Sequence, residues 1–336
     1  MKPKILFILH LPPPIHGAAM MGKYIQESEL VNSSFDCFCI NLATAGSLSD
    51  IGHISLKKLL KYFFLLKHIS HVVREIRPEL VYITPNAGGK AFFKDFIVVQ
   101  MLKSMGCKVI AHYHNKGVSV YQSKWVYNFF YKRFFSNLKV ILLAENLYKD
   151  IAKYVKREDV YICPNGIPSS CKEEMEARRN NVIPHLLFLS NLLISKGVIV
   201  LLDALKILKE KEYTFVCQFI GGETAEINAV QFFEEVNKRE LSDLVTYVGR
   251  KVREEKNAFF QQADIFILPT MNECFPLVIL EAMEYKLPVI STNEGGIPDI
   301  VKDGENGLIC EKQNPVSLAD CIAKLLDDEE LRVKMG

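Results

Sequence analysis

Residues 268–296 read Leu268-Pro-Thr-Met-Asn-Glu273-Cys-Phe-Pro-Leu-Val-Ile-Leu-Glu281-Ala-Met-Glu-Tyr-Lys-Leu-Pro-Val-Ile-Ser-Thr-Asn-Glu-Gly-Gly296. An apolar β-run ends at Pro269, Glu273 sits in the turn that follows, and the apolar run 277–280 starts a helix whose first turns hold Glu281. A second β-run follows at 289–291. Strand, turn, helix and strand in this order are the repeating unit of an α/β fold with buried parallel strands. In such sheets ligands gather off the carboxyl ends of the strands, so the turn after Leu268 is where chemistry is expected. Amides of the Phe275-Pro276-Leu277 segment issue from a helix N-terminus and suit a diphosphate. A carboxylate one or two turns into the helix, as at Glu281, can accept two hydrogen bonds from a ribose diol.

The same alternation extends in both directions. Short apolar β-runs at 4–9, 80–84, 109–112, 140–143 and 160–163 are separated by helical patterns, and after a polar stretch at 169–181 they resume at 186–189, 215–220, 245–248, 265–268, 289–291 and 307–310. This pattern predicts two Rossmann-like domains, 1–168 and 185–336, joined by a linker at 169–184, with the natural site in the cleft between them. Neither half carries the Gly-x-Gly-x-x-Gly fingerprint; after the run at 215–220 only Gly221-Gly222 is present. A dinucleotide dehydrogenase is thereby disfavoured.

Composition narrows the function further. A chain of 336 residues, 49% hydrophobic, can bury two cores. No apolar stretch approaches the ~20 residues of a spanning helix, and the start runs directly into a strand-like segment, which predicts a cytoplasmic protein. Nine cysteines are scattered without a CxxC pair, as expected of reduced thiols that pack as small hydrophobes. Lys and Arg outnumber Asp and Glu 22 to 11 over residues 1–165, whereas residues 166–336 hold 19 against 28. The basic half suits an anionic partner such as a membrane surface or a phosphorylated substrate, and the acidic half argues against nucleic acid. Two aromatic-basic segments, 56–69 and 124–135, lie in the basic half and point to peripheral contact with an anionic membrane surface.

Glu273 and Glu281 occupy the two acidic positions of the Glu-x7-Glu motif, and in this respect the chain resembles the retaining GT-B glycosyltransferases of family 4. The resemblance continues through Gly17-Ala18-Ala19, His114, Pro164-Asn165-Gly166-Ile167, Lys196-Gly197, Val248-Gly249-Arg250 and Gly295-Gly296-Ile297-Pro298-Asp299, in order and at strand ends. It implies a GT-B fold and transfer of a sugar from a nucleotide-diphosphate-sugar donor, without a cofactor, to a glycan or lipid-linked acceptor. Lys196 is implied to contact the donor diphosphate, Glu281 the ribose, and the backbone at Phe275, Pro276 and Leu277 the phosphate or sugar. Gly17 is implied to let the backbone approach the same phosphates, His114 to lie beside the transferring sugar, and Glu273 near that sugar's hydroxyls. Gly249, Arg250 and Val252 are implied to frame the base. No Asp-x-Asp stands at a strand end, so no metal is required.

Two departures from the family pattern stand out. Five residues before Lys196 the family has an arginine, but here the residue is Asn191, which lacks the forked charge of a guanidinium. Leaving-group stabilisation then falls on Lys196, the helix N-terminus, or Arg250 and Lys251. The family also continues into helices that cross back to the N-terminal domain, and the resemblance places these beyond Gly336. Two alternatives stay open at this point: a nucleotide-sugar epimerase of the same fold, and a catalytically silent GT-B protein that binds the donor.

Overall fold

The computed structural model describes residues 2–13, 17–42, 56–168, 181–251 and 253–336. They form two compact units, Met1–Asn165 and Gly166–Gly336. Each is built on one six-stranded sheet in which every pair is parallel.

In the first unit β1 (Lys4–Leu9), β2 (Asp36–Asn41), β3 (Leu80–Ile83), β4 (Val109–His112), β5 (Lys139–Leu142) and β6 (Val160–Ile162) are ordered β2-β1-β3-β4-β5-β6. β1 lies between neighbours and buries Ile5 to Leu9 without a break, the signature of a strand covered on both faces. Sequence reading missed β2, and the reason is its place at the edge. Its sequence, Asp-Cys-Phe-Cys-Ile-Asn, buries only Ile40, so no continuous apolar run marks it. Helices cover the sheet through apolar residues at helical spacing. Ile69, Val73 and Ile76 of Leu56–Ile76 are buried, as are Phe92, Val98, Val99 and Leu102 of Gly89–Ser104, and Tyr131, Phe134 and Phe135 of Trp125–Phe135.

In the second unit β7 (His185–Leu189), β8 (Val216–Ile220), β9 (Val245–Tyr247), β10 (Ile265–Leu268), β11 (Val289–Thr292) and β12 (Gly307–Cys310) are ordered β12-β11-β10-β7-β8-β9. Taken from β9, this is the doubly wound order 3-2-1-4-5-6. The chain leaves β7 in one direction to β8 and returns on its other side as β10, so the strand order reverses between β7 and β10. Both β10 and β11 are buried throughout, and they pack with helices Val198–Glu210, Leu277–Glu284 and Pro315–Asp327 into one core. Caps fix where the helices start. Asn228 and Gln231 form a reciprocal capping box on Ala229–Lys238, and Asn314 accepts from the amides of Val316 and Ser317.

The strands predicted from sequence differ from those observed by at most one residue at an end. No helix among the described residues is long and apolar enough to cross a membrane.

Candidate functional site

At the reversal point of the second sheet, the loops after β7 and β10 are laced together. The Met271 amide and the Thr270 hydroxyl both donate to the Ser195 carbonyl, at 2.8 and 3.2 Å. Lys196 ends a 3-10 turn, Ile194–Lys196, and Gly197 follows it in the left-handed region at φ 83°. A side chain at Gly197 is excluded twice: by that φ, and by the Pro269 carbonyl oxygen, 2.2 Å from where a Cβ would stand. This close crossing sets Lys196 over the β10 loop. Its ammonium donates to the Asn272 carbonyl at 3.1 Å and forms an ion pair with Glu273. Both side chains are about four-fifths buried, so the pair is shielded from solvent far more than a surface bridge.

The loop after β7 is also held from the β8 side. Leu192 donates to the Gly222 carbonyl at 2.9 Å, and the Asn191 side-chain oxygen accepts from the Gly222 amide at 3.1 Å. The Thr224 hydroxyl donates to the Leu192 carbonyl, and a Glu226 carboxylate oxygen accepts from the Ile194 amide. Asn191 therefore has a structural partner, and the position does not carry a cation. The stem of Arg250 lies by the same glycine, since a Cβ on Gly222 would meet Asn191 Oδ1 at 3.1 Å and Arg250 Cδ at 3.8 Å. Gly221 is more tightly enclosed. Its amide donates to Gly249, its carbonyl accepts from the Tyr247 hydroxyl, and a Cβ would stand 1.7 Å from the Ser190 carbonyl oxygen.

The helix Leu277–Glu284 begins with Pro276 at its N-cap, and no side chain caps its first amides. Since proline has no N–H, the donors that the 275–277 segment can offer are those of Phe275 and Leu277. One turn further in, a Glu281 carboxylate oxygen is 2.5 Å from Lys256 Nζ, and both side chains are roughly three-quarters buried. The turn that carries Glu273 is buttressed from the β11 side, where the Gly296 amide donates to the Cys274 carbonyl at 2.7 Å.

In the first unit β1 is flanked by β2 and β3, and there the residues following β1 and β3 meet, with the His10 amide donating to the Thr84 hydroxyl at 3.2 Å. Next along the carboxyl edge, His112 and His114 project to the same side of β4, as alternation requires, with ring centroids 4.3 Å apart. His112 pairs through Nδ1 with the Tyr82 hydroxyl, and His114 Nδ1 faces Asn165 Oδ1 at 3.2 Å. Among the described residues the Nε2 atom of each is buried without a hydrogen-bond partner. Burial pulls the His114 pKa down to about 4; the Asn165 contact opposes this and nearby His10 adds to it. Burial, then repulsion from His114, holds His112 well below the usual range. The loop after β4 is rigid for an identifiable reason. Asp150 accepts from the amides of Gly117, Val118 and Ser119 and from the Ser119 hydroxyl, and Asn115 accepts from the Ala87 amide at 2.7 Å.

A pH dependence follows from these histidines. Above about 6.5, their ordinary value, folded and unfolded chains are alike at these positions, but as pH falls towards about 4 the unfolded chain takes up protons that the folded one refuses. Stability is therefore expected to decline over that interval, and His114→Gln should flatten part of the decline in unfolding midpoint measured against pH. Parallel curves for the two proteins would mean that His114 titrates normally.

Residues 172–336 match the family described as Glycosyl transferases group 1. The match lies within the second unit and covers just under half of the chain. An uncharacterized glycosyltransferase of Methanocaldococcus jannaschii is 35% identical over 150 residues, 45% of this chain and 40% of that protein. The alignment thus spans about two-fifths of the relative's length. Sucrose-phosphate synthase of Thermosynechococcus elongatus superposes on 100% of this chain and 92% of its own, with a TM-score of 0.78 at 19% identity. HepE of Anabaena, crystallised with UDP, gives a TM-score of 0.70 at 16% identity over 99% of this chain and 92% of its own. Along the whole chain the fold is that of the GT-B glycosyltransferases.

Within the second unit, Asn191, Lys196, Gly249, Arg250, Glu273 and the start of the helix at Leu277 gather at the carboxyl ends of β7 to β10, with Glu281 one turn into that helix. Gly17, exposed at the start of helix Gly17–Glu27, and His114 belong to the first unit. Val252 lies outside the described residues. Sequence reading missed Lys256, whose contact with Glu281 spans 25 residues, and it also missed the pairing of Lys196 with Glu273. Lys256 lies in a polar stretch with no periodic signal, and only the tertiary fold brings it to the helix.

Proposed function

We propose that the chain is a retaining glycosyltransferase that moves a hexose from a nucleoside-diphosphate sugar to an acceptor hydroxyl, in the assembly of a polysaccharide or a lipid-linked glycan. The observation that carries this reading is the convergence of a shielded Lys196, a carboxylate and an uncapped helix start where the strand order reverses. Such a place accepts a diphosphate on a cation and backbone amides. The UDP bound by HepE supports a uridine donor here, and the group 1 match supports sugar transfer as the reaction.

In the assigned roles, Lys196 and the amide of Leu277 hold the diphosphate, Glu281 takes the ribose diol, and Arg250 offers the second cation that Asn191 does not. Glu273 addresses hydroxyls of the sugar, and His114 of the first unit, neutral at assay pH, offers a hydrogen-bonding group. The bond from the sugar's anomeric carbon to the diphosphate oxygen breaks with its electron pair going to the diphosphate, and the acceptor oxygen bonds to the same face of that carbon. The acceptor's proton passes to the departing phosphate oxygen. Catalysis then consists of stabilising the leaving diphosphate and positioning the sugar.

A panel of nucleotide-sugars screened by thermal shift identifies the donor, since a ligand at a hundred times its Kd stabilises the folded state by about 2.7 kcal/mol. Product analysis by NMR then reads the anomeric configuration. Inversion would overturn the retaining assignment, and donor binding without transfer or epimerisation would identify a silent binding protein. Asn191→Arg is expected to tighten nucleoside diphosphate by about tenfold or more, the worth of a charge-assisted hydrogen bond, less the cost of losing the Gly222 contact. No gain by calorimetry would mean that Arg250 already serves the diphosphate.

A further inference from the structure

The helix Leu56–Ile76 turns Ile69, Val73 and Ile76 inward, yet its earlier turns expose Leu59, Leu60, Phe63 and Phe64, the last at 65%. Neighbouring helices repeat the arrangement. Tyr62 donates to the Lys94 carbonyl on Gly89–Ser104 at 2.6 Å, and Phe93 and Phe96 of that helix pack edge-on against Phe130 of Trp125–Phe135. Behind this aromatic contact Trp125 and Phe129 remain exposed, Trp125 at 81%. Cations are interleaved with the rings: Lys67 lies 4.9 Å from the Phe63 centroid, Arg133 4.7 Å from that of Phe129, and Lys61 and Lys132 are exposed beside them. Among the described residues of the three helices the acids are Asp95, which is buried, and Glu75, near the far end of its helix.

We propose that this face docks on a bilayer that carries anionic headgroups. Solvated helix faces do not normally expose four large apolar residues within two turns, and a contiguous patch of that kind marks an interaction surface. Its charge selects the partner. Lysines are depleted from the cores of protein interfaces, whereas aromatic rings with adjacent Lys and Arg suit the headgroup boundary, where ring and cation each find their own medium. The excess of cations over acids in the first unit, 22 against 11, has the same sign. The face would hold the chain at the membrane surface without spanning it, which brings a lipid-borne acceptor within reach if the transferase reading holds.

Trp125 is the chain's only tryptophan, so its emission reports on this face alone. The full chain at low salt is titrated with phosphatidylglycerol vesicles and, separately, phosphatidylcholine vesicles. Expected results are a blue shift with the anionic vesicles only, its reversal by added salt, and quenching by brominated acyl chains. Lys132→Gln and Arg133→Gln should each weaken vesicle affinity about fivefold. Phe63→Ser with Phe64→Ser should weaken it with the unfolding midpoint unchanged. The proposal is overturned by an unshifted Trp125, by equal shifts with neutral vesicles, or by a lipid-free shift that grows with protein concentration, which would assign the face to a second copy. Nucleoside diphosphate titrated into the same samples tests the donor site separately, so failure of one assignment leaves the other standing.

Discussion

Gly221→Ala is expected to lower the unfolding midpoint of the second unit and to weaken nucleotide binding together. The added methyl group would stand 1.7 Å from the Ser190 carbonyl oxygen and 2.9 Å from the Asn191 amide nitrogen. Backbone atoms at those distances cannot rotate away as the end of a side chain can, so β8 must part from the loop after β7. That separation pulls on the bonds from Ser190 to Ile220 and from Leu192 to Gly222, both 2.9 Å, and on the 3.1 Å bond from Gly222 to Asn191, and it presses Gly221 towards its partners on the β9 side, Gly249 and Tyr247. Overpacking of a rigid site costs about 1–3 kcal/mol, and more where the backbone is trapped, so several degrees of midpoint are at stake. Denaturation followed by circular dichroism, with and without nucleotide, measures both effects. An alanine variant as stable as the parent, with the same affinity, would show that the β7 and β8 loops are not locked at this point.

Lys196→Ala should reduce affinity for the nucleoside diphosphate by roughly ten- to a hundredfold while leaving the nucleoside unchanged, since a charged hydrogen bond contributes about 1.5–3 kcal/mol. Glu281→Ala should weaken both ligands, because ribose is common to them. The structure adds a complication that the experiment can use. Lys196 is also the partner of Glu273, so removing it leaves a four-fifths buried carboxylate facing the incoming anion. The double variant Lys196→Ala with Glu273→Gln removes that repulsion and is expected to bind the diphosphate better than the single one. Calorimetric titration of both proteins with both ligands separates the two contributions. Equal losses for nucleoside and diphosphate in the single variant would show that Lys196 does not act on phosphate.

How far the sequence carried this picture depended on what each feature needs. Buried parallel strands are continuous apolar runs between turn residues, so β1, β4, β10 and β12 were legible to the residue, whereas β2, half-exposed at an edge, left no such run. The candidate residues came from the family resemblance, and the part that the strand pattern itself made legible is their position in the loops after strands, Lys196 after β7 and Glu273 after β10. What the pattern could not give was partners. Asn191 was marked as a missing cation, but its bond to Gly222 depends on the register of β7 against β8. The pairing of Lys256 with Glu281 likewise depends on a helix and the 3-10 turn Arg253–Lys256 meeting in three dimensions. Gly221 was noted only as part of an incomplete glycine fingerprint, and its need to be glycine came from an oxygen 31 residues earlier in the chain.

The two Lys–Glu pairs have a consequence for what the site ignores. Each acid of the Glu-x7-Glu motif is engaged by an ammonium group from its own unit, so with no ligand the carbonyl ends of β7 and β10 present a closed set of charges. In the proposed roles, a diphosphate competes for Lys196 and in doing so releases Glu273, whose oxygens then become free to accept from sugar hydroxyls. A free monosaccharide brings no anion with which to make that exchange and meets a carboxylate whose Oε2 stays paired with Lys196. If those roles hold, the resting pairs set an order of binding: the anion first and the sugar second, which is what would keep an unactivated sugar from being read.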